Sequence, residues 1–126
     1  MSKVYVYTRN SNAEAFEKGS SRETQIKKCR NYASIKDLIV DEVIEEQCSG
    51  QIPFERREKA YELLRKLKTN DHIICSHLDR FCRNTLSLLQ MIQKFKKKKI
   101  YLHFVDLNCE TTGSDAIGNV FLTMLS

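Results

Sequence analysis

A hydroxyl stands among arginines near the start of this chain, where Tyr7, Thr8, Arg9, Asn10 and Ser11 are consecutive. A serine hydroxyl is a poor nucleophile unless a base or nearby positive charge favours its alkoxide. Arginine supplies that charge at any working pH, and its planar fork matches the oxygens of a phosphate. More arginines occur as Arg56-Arg57 and within Leu78-Asp79-Arg80-Phe81-Cys82-Arg83. A phosphodiester under attack gains negative charge on its non-bridging oxygens, which guanidinium groups stabilise. Arg80 and Arg83 share a face if their segment is one helical turn, and Asp79 stands four before Arg83, where it can hold it. No histidine lies near Ser11 and no G-x-S-x-G occurs, so a hydrolase triad has little support. No Gly-rich loop ends in Lys-Ser or Lys-Thr, which argues against a nucleotide-triphosphate site. Taken singly, each residue also has a plainer reading. Ser11 fits a turn or helix cap. An Asp79–Arg83 pair on a surface is worth under about 1 kcal/mol. Arg56 and Arg57 fit a solvated helix start.

Four strand-like segments must position these groups. Lys3–Arg9 alternates, with Val4 and Val6 on one face and Tyr5, Tyr7 and Arg9 on the other. Leu38–Ile44 is rich in β-branched residues, and His72–Cys75 and Ile100–Val105 are short apolar runs. Helical patterns alternate with them. Ser20 and Glu23 stand at capping-box spacing before Ile26, Cys29 and Ala33. Ala60, Leu63, Leu64 and Leu67 form one stripe, and Leu88, Leu89, Ile92 and Phe95 another. Ile117, Val120, Phe121, Met124 and Leu125 form a last one, behind Gly113 and Ser114, with no stop signal before Ser126. This order predicts an α/β domain: a largely parallel sheet of four to five strands flanked by helices, followed by the start of a long C-terminal helix. Ligands of such sheets bind beyond the carboxyl ends of the strands. Those ends gather Tyr7, Arg9 and Ser11, then Asp79, Arg80 and Arg83, then Asp106.

Bulk properties fit one compact domain. The chain has 126 residues, 41% of them hydrophobic. Twenty-one Lys and Arg against 16 Asp and Glu give a net charge of +5, compatible with a polyanion but not diagnostic of one. No stretch approaches a membrane span or a signal peptide. Five cysteines form no C-x-x-C pair and read as reduced thiols of a cytoplasmic protein. His72 and Cys75 have no second ligand pair beside them, so no metal site is expected. The lysines Lys94 and Lys96–Lys99 read as an exposed loop ending a helix. The polar loops Asn12–Gly19 and Gln47–Pro53 are candidates for mobility.

Taken together, these residues resemble the serine recombinases, the resolvase and invertase family. Tyr7-Thr8-Arg9-Asn10-Ser11 resembles that family's Y-x-R-x-S opening, although Asn10 and Asn12 depart from its usual residues. Glu23-Thr24-Gln25 with Cys29 and Tyr32-Ala33 resembles its first helix. Ser49-Gly50, then Arg57 before Leu63-Leu64, is similar to its S-G and R-x-x-x-x-x-L-L segment. Leu78 to Arg83 is similar to its L-D-R-x-x-R signature, and Phe104-Val105-Asp106 with Thr112–Ser126 to its last strand and long helix.

The resemblance implies a site-specific DNA recombinase domain, covering residues 1–126, in which Ser11 attacks a DNA phosphate and becomes joined to a 5′ end. Arg9, Arg57, Arg80 and Arg83 would contact the phosphate, and Tyr7, Gln25 and Asp79 would support them, with Asp106 at the edge. The implied partners are double-stranded DNA and further copies of the chain, as a homodimer and a synaptic homotetramer joined through the long helix. No metal, nucleotide or other cofactor and no membrane is implied. A DNA-binding domain would lie beyond Ser126. A resolvase, invertase, integrase or transposase role remains open. So do a DNA nicking or relaxing enzyme and an inactive assembly module.

Overall fold

The computed structural model describes residues 2–11, 21–107 and 109–110. Its strands are β1 (Val4–Asn10), β2 (Glu42–Gln47), β3 (His72–Cys75), β4 (Tyr101–Phe104) and β5 (Cys109–Glu110). Its helices are α1 (Arg22–Ile35), α2 (Glu58–Lys66), α3 (Leu78–Phe81) and α4 (Thr85–Lys98). The sheet order is β2-β1-β3-β4-β5. The first four strands are parallel, and β5 returns antiparallel along β4. The expected α/β architecture is therefore present. The apolar stripe from Ile117 to Leu125, the loop Asn12–Gly19 and the cap residue Ser20 lie outside the described residues.

Alternation along the strands divides the core. Tyr5, Tyr7, Ile73, Cys75, Leu102 and Phe104 pack with Ala60 and Leu63 of α2 and with Leu88, Ile92 and Phe95 of α4. Val4, Val6 and Ile74 pack on the other side with Cys29, Tyr32 and Ala33 of α1. Both faces of β1 are buried, so the strand that leads to Ser11 is central and locked from two sides.

Three local expectations need correction. The second strand begins at Glu42 rather than Leu38. Asp37 takes a left-handed turn (φ 58°), and Leu38 N–H bonds back to the Ala33 carbonyl at 2.8 Å. Leu38 and Val40 pack against the α1-side core without a ladder, while Ile39 points to solvent. Pairing starts only after the Asp41 carboxylate has accepted from Val4 N–H at 2.8 Å. The cap of α1 is Ser21, which accepts from Thr24 N–H, one residue after the predicted cap. The lysine run is helical: α4 continues through Lys98, and Lys99 (φ 59°) caps it. Cations there complement the carboxyl end of the helix dipole.

His72 and Cys75 project to opposite faces, as their odd spacing requires. On the α1 face His72 Nδ1 meets His103 Nε2 at 2.9 Å, and His103 Nδ1 meets the Tyr32 hydroxyl at 2.8 Å. Burial pushes the His103 imidazole down to about 3, with His72 and Lys36 acting in the same direction. Its charged form is disfavoured in the fold, whereas the unfolded chain takes up that proton near pH 6.5. Stability is therefore lost as pH falls from about 6.5 towards 3, on the order of 3 kcal/mol by pH 4. Unfolding midpoints measured from pH 7 to pH 4 should fall less steeply in His103→Gln than in wild type. Parallel curves would refute the assignment.

Candidate active site

Ser11 is the residue immediately beyond β1 and is half-buried. The end of that strand is held by Gln25 of α1, itself buried. Gln25 Oε1 accepts from Arg9 N–H at 3.3 Å, and Nε2 donates to the Arg9 carbonyl and, at 2.9 Å, to Asn10 Oδ1. A side-chain amide thus fastens both backbone groups of the residue two before the serine. Asn10, a departure from the family pattern, is used here as the amide's acceptor.

Arg9, Arg57 and Arg80 converge at the carboxyl ends of β1 and β3, all three buried. Burying a guanidinium costs several kcal/mol unless its donors are met. Arg9 Nη1 donates to the Cys48 carbonyl and Nη2 to the Asp79 carbonyl. Arg80 Nη1 donates to the Arg9 carbonyl at 3.3 Å. Arg57 Nε donates to the Ile52 carbonyl at 3.0 Å, and Nη1 to the Arg80 carbonyl at 2.9 Å. The Arg57 guanidinium also lies 5.7 Å over the Phe54 ring, which stacks on Phe81. Composition made Gln47–Pro53 a candidate for mobility. Instead its carbonyls are acceptors for these arginines, and Ile52 N–H closes a turn on the Ser49 carbonyl.

Arg83 and Asp79 do not behave as the sequence suggested. Helix α3 ends at Phe81, and Cys82 is extended (φ −157°), so Arg80 and Arg83 do not share a helical face. Arg80 is buried and Arg83 exposed. Among the described residues no ion pair joins Asp79 to Arg83; Asp79 serves the cluster through its backbone carbonyl. The outer part of the Arg83 side chain lies against Gly50, in the turn after β2. Asp106 follows β4 at the surface, its N–H bonded to the Ser76 carbonyl at 3.0 Å. Desolvation raises its carboxyl, against the pull of His77 and the Leu78 N–H.

One buried carboxylate was missed. Glu46 of β2 accepts from Lys59 N–H at 3.1 Å and from Ala60 N–H at 3.0 Å, capping α2, whose own cap residue Arg57 has no side-chain bond there. It also accepts from the Tyr7 hydroxyl at 3.3 Å, and Tyr7 in turn accepts from Arg57 Nη1. Burial pushes the Tyr7 phenol up, partly offset by Arg57, so it stays protonated and able to donate to Glu46. Strand parity would have found it only with the strand carried past Ile44, since Glu46 falls on the same inward face as Ile44. Burial likewise raises the thiols of Cys48 and Cys82, which disfavours thiolate chemistry beside the arginines.

The family model described as the N-terminal domain of resolvase matches residues 4–126, and the chain belongs to that family of catalytic domains of site-specific recombinases. The N-terminal catalytic domain of TP901-1 integrase matches with a TM-score of 0.77 at 25% identity, over 98% of this chain and 90% of that one. The C-terminal catalytic domain of ISC1926 TnpA, an IS607-like serine recombinase, has a TM-score of 0.64 at 20% identity, over 98% of this chain and 78% of that one. A resolvase family site-specific recombinase from Streptococcus pneumoniae has a TM-score of 0.65 at 19% identity, over 99% and 85%. The latter two support the fold alone.

If Glu46 supports the Arg57 side of the site as described, Glu46→Gln places an amide against two backbone donors and removes a charge. It should cost about 2 kcal/mol in chemical denaturation. An unchanged midpoint would mean that the Glu46 bonds contribute nothing.

Proposed function

We propose that this domain cuts and rejoins DNA through a covalent bond to Ser11. The observation that carries the reading is the convergence of three buried guanidinium groups, from β1, the start of α2 and α3, where the chain delivers Ser11. Ser11 Oγ attacks the scissile phosphorus, losing its proton. The bond from phosphorus to the 3′ oxygen breaks, and that oxygen leaves as a hydroxyl. The product is a 5′-phosphoserine. Attack of a 3′ hydroxyl on the same phosphorus reverses the step and releases Ser11. One ester replaces another each time, so the balance needs no nucleotide. Arg9, Arg57, Arg80 and Arg83 stabilise the charge on the phosphoryl oxygens. Tyr7, Gln25 and Asp79 act behind them, Tyr7 on Arg57, Gln25 on the Ser11 strand and Asp79 on Arg9.

Incubating the full-length protein with a randomised pool of nicked duplexes should yield a covalent protein–DNA band. Ser11→Ala should abolish it. A wild type without the band, or a variant with the same band, would overturn the assignment and favour an inactive module. Loss of one donor to the transition state should cost on the order of 100-fold in the rate of band formation, the expectation for Arg83→Ala. A near-normal rate would remove Arg83 from the phosphate.

Exchange between two duplexes requires two cuts in each, so we place the working unit at two dimers, a homotetramer in synapsis. Sedimentation of the full-length protein with its captured DNA should show species above the dimer. Monomers alone would refute this, and cleavage without exchange would fit a nicking enzyme.

A further inference from the structure

We propose that Gly50 is a positioning residue, whose lack of a side chain sets the path of Arg83 into the site. A Cβ on Gly50 would lie 2.5 Å from Arg83 Nε and 2.9 Å from its Cδ and Cζ. Ordinary carbon contacts are about 3.5–4.0 Å. The guanidinium end of Arg83 therefore rests directly on the glycine backbone. The Gly50 carbonyl also faces Arg57 Nη2 at 3.5 Å. Gly50 thus separates two arginines from unconnected segments, touching each with a different part of its backbone.

The turn itself does not demand glycine. Gly50 lies outside the left-handed region, so its φ is one that other residues adopt. Only the space taken by Arg83 excludes a side chain. The atoms in the way belong to the far end of a flexible side chain. An added methyl is relieved by moving Arg83 rather than by disturbing the turn. An open groove of about 320 Å³, lined by Gly50, Arg83, Asn84 and Ser87 among others, gives the displaced arginine somewhere to go. Substitution at Gly50 should therefore leave the fold intact and misplace one guanidinium.

This inference rests on Arg83 contacting the phosphate, and the test separates the two ideas. Rates of covalent capture on the randomised pool of nicked duplexes are measured for Gly50→Ala, Arg83→Ala and the double variant, with thermal melts of each. Gly50→Ala should melt as wild type does and lose on the order of 100-fold in rate, the scale of an ångström-sized misplacement. The double variant should be no slower than Arg83→Ala, because without the long side chain the methyl collides with nothing. A wild-type rate in Gly50→Ala beside a slow Arg83→Ala overturns the Gly50 role alone. So does a double variant slower than Arg83→Ala, or a loss of fold in Gly50→Ala that Arg83→Ala does not restore. A wild-type rate in Arg83→Ala overturns the phosphate contact first, and the Gly50 role with it.

Discussion

Three arginine side chains sealed from water set the terms for this end of the molecule. A buried guanidinium left without acceptors is untenable, so each must find oxygens as the chain folds. The acceptors are found in one another's surroundings. Arg57 donates to the carbonyl of Arg80, Arg80 to that of Arg9, and Arg9 to that of Asp79, the residue before Arg80. Each arginine is fastened to the backbone at or beside another. Displacing one segment therefore unseats donors in another, and the segments that follow β2 and β3 are tied in by bonds that their composition does not suggest. Removal of a single partner leaves a buried charge behind, so this closed set is cooperative in its loss as well as its formation.

The topology is what allows the closure. β1 pairs with β2 on one side and with β3 on the other, all parallel. Their carboxyl ends therefore point the same way and lie two strand spacings apart at most. β1 brings Arg9 and Ser11, β2 brings Glu46 and Cys48, and β3 opens into the short helix with Asp79 and Arg80. An antiparallel arrangement would send alternate ends to opposite edges. Helix α2 completes the set from outside the sheet, its amino end pinned by Glu46 so that Arg57 at its cap faces inward.

The fold was largely legible because alternation and helical stripes are local properties of the chain. β3 was delimited to the residue, since its apolar run sits between plain turn signals. By spacing alone the site was legible only where residues stand close in sequence, and Gln25 and Arg57 entered it through the family resemblance. Arg9 and Ser11 share a strand end, and no contact from elsewhere was needed to see them. The Arg80–Arg83 relation failed because a helical face was assumed across Cys82, where the backbone is extended. Glu46 was hidden by a boundary error: a second strand ending at Ile44 leaves Glu46 outside it, with no face to belong to. The histidine pair was invisible for a different reason. His72 and His103 lie on neighbouring strands, and only the β3–β4 register, which sets His72 opposite Tyr101 and Ile74 opposite His103, brings their rings together.

The choice of acceptors bears on what such a site can bind. Among the described residues, bonds from Arg9, Arg57 and Arg80 run to carbonyl oxygens, which hold a guanidinium without cancelling its charge, and Arg57 also donates to the Tyr7 hydroxyl. Glu46 stands one step back, separated from Arg57 by the Tyr7 hydroxyl, and engaged by the amide donors of α2. A carboxylate placed directly on the arginines would hold them equally well but would neutralise the field that an incoming anion needs. Setting the acid behind a protonated phenol keeps the geometry and preserves the charge. At Arg57 that separation leaves a positive charge that an anion can meet, as the proposed phosphate diester would.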